Sequence, residues 1–592
     1  MIKQRKDIAD NYKWDLSSIY ASDEKWKKDL KRCEELSKKC ASYKGKLKNS
    51  DSFLEFLKTR DRFYTLLEKL YIFSSCKVDE DLRVGKNKER FNILNGEMVQ
   101  LNKSLLFVGE EIKKLSEDYL ESLIKDPRFE DYKLEIINNI REKPHVLDEK
   151  ESCITNFVSL FSDGFSNVFN SLTNADLKFE PVIDNNGKRH TLTNSNIIKF
   201  FEDKDRNVRR QASENIKKGY KGVQNTLATN YISKVKQDWA FAQIHNYDSC
   251  LQYKMFSDNL DESIYDNLME NIESRIKLSD KYFKIRKRCL GLRDYARYDD
   301  YVPLSSFNKK YTYEQAIGVV FDALKVLGSD YTEILKKSQE QKWIDVYANE
   351  GKREGGYSTA GYKTHPFILL NFEGRINDVL TIAHELGHSA HSYYSTHNCA
   401  PANHDYTIMC AEVASTVNEV LTIKYLYNNS KTKQEKIRYI SQYISEFIGT
   451  VFRQAQFSMF EHKAHRLIEN NQPISKEILT KQYGDLVAKF NSTKKRTKDD
   501  TTWARIPHFY RSYYVYKYCI GFISAVCIAK NILDGKKNAL ENYKKFLKNG
   551  GKNFSLDTLK MAGIDLSNDL PYKTAFADME WAVKELDKLT KK

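Results

Sequence analysis

Proline and glycine are scarce in this 592-residue chain, at 9 and 24 residues. That scarcity argues against a β-rich fold with many tight turns and favours long helices. The 10 cysteines are scattered from Cys33 to Cys527 with no CxxC pair. Such spacing suits buried thiols in a reducing cytoplasm better than a disulfide framework. No uninterrupted apolar run approaches the length needed to cross a bilayer, so no membrane association is expected. The opening stretch, MIKQRKDIADNYKWDLSSIY, lacks the apolar centre and small-residue cleavage site of a secretory signal.

Acidic residues are outnumbered, 81 to 96, for a net charge of +15. The excess is diffuse: in KWKKDLKRCEELSKKC lysine alternates with acid as on a solvated helix face. With no zinc-finger or RRM-like pattern either, no nucleic-acid partner is expected.

Apolar residues, by contrast, are plentiful at 41%, with 12% aromatic, enough for a large packed core. The length allows more than one domain. Residues 1 to about 175 read as successive amphipathic helices; SFLEFLKTRDRFYTLLEKLYIFSS places apolar residues at three- and four-residue intervals. FEPVIDNNGKRHTLT (179–193) changes texture, with alternation around Asn186-Gly187 that predicts a β-hairpin. We therefore divide the chain into an N-terminal helical region, 1–200, containing that hairpin, and a second region, 201–592. Within the second, residues 343–375 are irregular and glycine-rich. Gly351, Gly355, Gly356 and Gly361 suit either a loop folding over a ligand or a plain connector. The run Phe367–Leu370 that follows predicts a short strand.

The chemistry concentrates in HELGHSAHSYYS, residues 384–395. On a helix, His384 and His388 are one turn apart and direct two imidazoles at one ion, with Glu385 beside them. This is the HExxH arrangement, two histidine ligands to Zn²⁺ and a glutamate general base. A metzincin would carry Gly at 391 and His at 394; His391 and Tyr394 exclude that class. A catalytic zinc needs a third protein ligand. Beyond Pro401 a second helix, through YTIMCAEVASTVNEVLTIKYLY, offers Glu412 and, two turns later on the same face, Glu419. His391 is the rival ligand, although three histidines at 0, 4 and 7 fit one ion awkwardly, and a supporting or packing role suits it better. A non-catalytic peptide-binding scaffold with a structural zinc is the lesser alternative, because a structural site is usually closed by four ligands and cysteine-rich, whereas this one offers three ligands and no adjacent cysteine pair.

HELGHSAHSYYS followed by AEVASTVNE resembles the oligoendopeptidase F group of the thimet-oligopeptidase-like zinc metallopeptidases. NYKWDLSSIY, WIDVYANEGKREGGYS, HPFILLNFEGRINDVLTIAHELGH, VFRQAQFSMFEHKAH and IPHFYRSYYVYKY extend the likeness, in order, over nearly the whole chain. The resemblance implies a mainly α, two-lobed fold with a deep substrate channel and a small sheet beside the zinc helix. The strand Pro366–Asn371 would pair its free edge with the substrate backbone. It also implies one zinc per chain, Glu412 as third ligand, and short unstructured peptides as substrates, cut at internal bonds by a water that Glu385 deprotonates. His508, Tyr514 and Tyr518 carry over as donors to the oxyanion, the i, i+4 tyrosines sharing a helical face. Asp378 and Glu419 are candidates for orienting the zinc histidines through their second ring nitrogens. The alternative activity is release of C-terminal dipeptides. That would need a cation for the substrate's terminal carboxylate, a role open to Arg505 or Arg511. Oligomeric state has no signature in the sequence.

Overall fold

Ser50–Glu80, the longest helix among the described residues, begins where Asn49 accepts from the Ser52 backbone amide at 3.0 Å. Its inner stripe, Phe53, Phe56, Leu57, Phe63, Leu67 and Leu70, is buried at helical spacing. Asp23–Ala41 packs along it, and Trp26 donates its indole N–H to Ser74 at 3.0 Å. The computed structural model describes residues 3–159, 161–493 and 500–591. Helices dominate it, and five short strands form two small sheets.

In the first sheet β1 (Val182–Ile183) runs antiparallel to β2 (Arg189–His190). Gly187 makes the turn at a φ of 76°, a conformation that costs a residue with a Cβ but not glycine. The second sheet comprises β3 (Ile344–Asp345), β4 (Tyr357–Thr359) and β5 (Phe367–Leu369) in the order β3-β5-β4. β5 is parallel to β3 and antiparallel to β4, with Ile368 opposite both Ile344 and Ser358. Its Phe367 and Leu369 join the core built on the Ser50–Glu80 helix, which ties the sheet to that helix. The strand expected at 366–371 therefore has no free edge. Both its sides are paired because its apolar side chains draw it to the sheet's centre, and β4 is left as an edge.

Two compact units emerge, each from three separate stretches. One comprises Met1–Val146, Lys309–Leu426 and Ile528–Ile564. The other comprises Leu147–Asn308, Tyr427–Cys527 and Asp565–Lys592. A single cut near residue 200 does not describe this organisation, because segments as remote as Phe53 and Phe367 share one core. None of the ten cysteines is joined in a disulfide, and eight are buried. Contrary to the expectation of no such run, one helix among the described residues, Tyr516–Leu533, is long and apolar enough to cross a membrane by length and composition; 72% of it is buried within the protein. Burial of that kind is what a core helix shows.

Candidate active site

The histidine helix runs from Ile376 to Asn398. Asp378 starts it, its carboxylate accepting from the backbone amides of Arg375 (2.8 Å) and Glu373 (3.1 Å). Asp378 is thus spent on the backbone N–H groups that lead into the helix, and among the described residues no hydrogen bond or ion pair joins it to a site histidine. Two turns on, His384 and His388 bring their Nε2 atoms to 3.1 Å, with rings nearly perpendicular at 86°. The two nitrogens converge on a common position.

The second helix, Ile408–Asn428, supplies the carboxylates. Glu412 reaches within 3.8 Å of His384 Nε2, and ligand atoms of His384, His388 and Glu412 all lie within 4.8 Å of one another. Gly387, inside the HExxH motif, lets the helices come so close. A Cβ there would sit 2.6 Å from the Ser415 Cα and 2.8 Å from the Ala414 carbonyl oxygen. Asn418 ties the pair, donating to the Ala383 carbonyl at 3.0 Å and accepting from the Tyr331 hydroxyl at 2.9 Å. Neither Gly387 nor Asn418 stood out in the sequence, although both lie within the motif segments themselves.

Glu419 takes the Nδ1 side of His384. A proton held there leaves Nε2 free as a ligand. Burial by itself would lower the His384 pKa, but Glu419, Glu385 and Glu412 around it raise it to about 9. Burial and the neighbouring His384 hold His388 well below the ordinary value. Glu412 is raised, chiefly by burial. Three carboxylates around two imidazoles are a donor set in want of a cation, and two nitrogens with one carboxylate suit zinc.

Glu385 is buried beside this cluster, and burial pushes its carboxyl up to about 7. The Ser358 backbone on β4 hydrogen-bonds it, while its Oε2 has no protein partner among the described residues. A carboxyl poised near neutrality can take and return a proton. His391 lies apart from the cluster. Fully buried, it stacks on Tyr406 at 3.6 Å and on Phe546 at 5.3 Å, and burial lowers its pKa to about 3. That is a packing histidine.

In the other unit, the 508–518 segment holds His508, Tyr514 and Tyr518 together. Ring centroids lie 6.2 Å apart for His508–Tyr518 and 5.3 Å for Tyr514–Tyr518. The helix begins only at Tyr516, so a turn, not a shared helical face, joins the tyrosines. Tyr513 makes that turn at a φ of 55°, strained for a residue with a Cβ. Buried polar groups hold it there. Ser512 donates to Asp238, which is 2% exposed and also meets Lys234 at 2.5 Å and His465 at 3.3 Å. Burial would raise the Asp238 carboxyl, yet these partners hold it well below the usual range. The Tyr513 backbone hydrogen-bonds the buried Glu461. The other tyrosines are accounted for by packing: Tyr510 lies on Phe169 and Tyr231, and Tyr513 and Tyr516 are buried. Burial and Arg511 lower the His508 pKa, which favours its neutral imidazole.

Over most of its length the chain is similar to known peptidases. The pattern of peptidase family M3 matches residues 200–578, and that of Oligopeptidase F matches 111–179. Oligopeptidase PepF of Bacillus subtilis is 34% identical over all of this chain and 89% of its own length. An oligoendopeptidase F homolog of Borreliella burgdorferi is also 34% identical, over 99% of both chains. Among solved structures, oligoendopeptidase F of Enterococcus faecium superposes with a TM-score of 0.73 at 27% identity, covering 96% of this chain and 99% of its own. A Chlamydophila abortus structure reaches 0.93 at 31% identity over the full length of both.

Proposed function

The chain belongs to peptidase family M3, in its oligoendopeptidase F group, and is a metallopeptidase of oligopeptides; from that premise we propose how it cuts them. His384, His388 and Glu412 would hold one Zn²⁺, and Glu419 fixes the tautomer of His384. When bound, the ion supplies Lewis acidity to a water molecule and to the scissile carbonyl. Glu385 accepts a proton from the attacking water at its carboxylate and returns it to the departing amine nitrogen. The edge of β4 receives the extended substrate backbone by strand addition, because β5 is paired on both sides and the backbone flanking β3 already bonds Tyr12 and Asp15. His508, Tyr514 and Tyr518 donate hydrogen bonds to the oxyanion and to substrate carbonyls. Short unstructured peptides are cut at internal bonds.

One observation supports this reading above the others. Two imidazole nitrogens and a carboxylate converge, with a glutamate pushed to about 7 beside them. The test is Glu385→Gln on an unstructured peptide, with products read by mass spectrometry. Zinc content should stay stoichiometric while hydrolysis falls by about 10²–10⁴-fold, the usual contribution of a general base. Unimpaired turnover would remove Glu385 from the chemistry. In the wild type, products from internal bonds are expected, and a ladder of C-terminal dipeptides would assign the exopeptidase activity instead.

A further inference from the structure

The unit that carries His508 also holds a cavity of about 360 Å³, and His508 is part of its wall. Four cations line it: Lys217, Arg297, Arg453 and Arg505. Two of them are matched. Arg297 pairs with Asp500 at 3.3 Å; Arg453 donates to the Tyr301 hydroxyl at 3.0 Å and lies 3.9 Å from Asp300. Arg505 and Lys217 make no ion pair or side-chain hydrogen bond with any described residue, although both are half-buried. Phe201 and Phe457 add apolar wall.

We propose that this cavity binds a carboxylate of the peptide substrate, its terminal carboxylate first of all, through Arg505 with Lys217 in support. Burial lowers the pKa of both groups, Arg505 and Lys217, so both are charges short of solvent. An incoming anion restores what solvent no longer supplies, and a guanidinium presents two parallel N–H groups to a carboxylate. The aromatic wall suits an apolar final side chain. The proposal rests on the peptidase reading only for its ligand class, since the cavity, its cations and His508 lie within one unit.

The experiment separates the two. Four peptides of one unstructured sequence are titrated calorimetrically into zinc-loaded Glu385→Gln protein: free acid, C-terminal amide, and versions of the amide with an internal Glu or Gln. The free acid should bind about tenfold tighter than the amide, and Arg505→Gln should erase that difference while Arg505→Lys keeps part of it. Lys217→Gln should shrink it by a smaller factor. A gap between the Glu and Gln peptides that Arg505→Gln abolishes would identify an acidic side chain as the occupant and would equally support the carboxylate site. Equal binding of all four peptides, or a preference that survives Arg505→Gln, overturns the proposal. Should Arg505→Gln fail to fold, Lys217→Gln and the acid–amide comparison decide it. If Glu385→Gln proves fully active, the catalytic reading fails, and the same titrations on chelator-stripped wild type still decide the cavity.

Discussion

The histidine and carboxylate helices and the 508–518 segment reach order by opposite routes. In the first, helical periodicity does most of the placing. His384 and His388 converge because residues four apart share a face, and Gly387 admits the partner helix that brings Glu412. In the second, no regular element spans the residues that gather. Tyr513 is held at positive φ, and a buried network from two remote helices, through Asp238, His465 and Glu461, holds the turn. Geometry built on a periodic element is robust to its neighbours. Geometry built on a strained turn depends on them.

The contrast can be broken most sharply at Glu412. Glu412→Ala should lower zinc affinity well beyond the ~10–100-fold expected of an outer hydrogen-bond partner. His391→Ala should change it far less, by equilibrium dialysis, and the reverse order would make His391 the ligand. Next comes Asp238→Asn, which strands His465 and Lys234 in the interior and should cost about 3–5 kcal/mol of stability. Zinc affinity should hold while kcat falls, because the metal helices do not contain the network.

The same residue has a pH signature. A carboxyl depressed in the folded state contributes stability that is present above the unfolded value, about 3.9, and lost as pH falls through the folded one. Melting curves of wild type and Asp238→Asn should therefore differ at pH 6 and converge in strong acid. A gap that widened on acidification would contradict the depression.

Gly387→Ala should cost about 1–3 kcal/mol through overpacking, since the added Cβ meets backbone that cannot yield locally. Glu419→Gln should weaken zinc by about 10–100-fold with the fold intact. The smallest change is expected at Asp378. Removing this cap with Asp378→Ala should lower stability by about 1 kcal/mol and leave zinc affinity untouched. A loss of zinc there would return Asp378 to the metal site.

The helical character and the hairpin at Asn186-Gly187 were legible in the sequence because spacing and turn chemistry are local properties. So was the pairing of His384 with His388, and the helix that brings Glu412 and Glu419 was placed by the break at Pro401. Strand order was not legible. Phe367–Leu369 reads as a strand, yet which strand flanks it follows from how the sheet docks on the Ser50–Glu80 helix. The Tyr514–Tyr518 neighbourhood was expected from i, i+4 spacing and arises from a turn instead, because helix onset at Tyr516 follows from packing. Asp378 shows the same limit: a lone acid near a helix start serves the cap or the site, and only coordinates separate the two.

The sequence by itself determined the chemistry on offer, two imidazoles a turn apart with a glutamate beside them, because a helix converts spacing into direction. Tertiary structure alone decided how near the second helix comes, which strand takes the centre of the sheet, and which half-buried cations go unmatched. Those depend on contacts between residues hundreds of positions apart, and no local pattern records them.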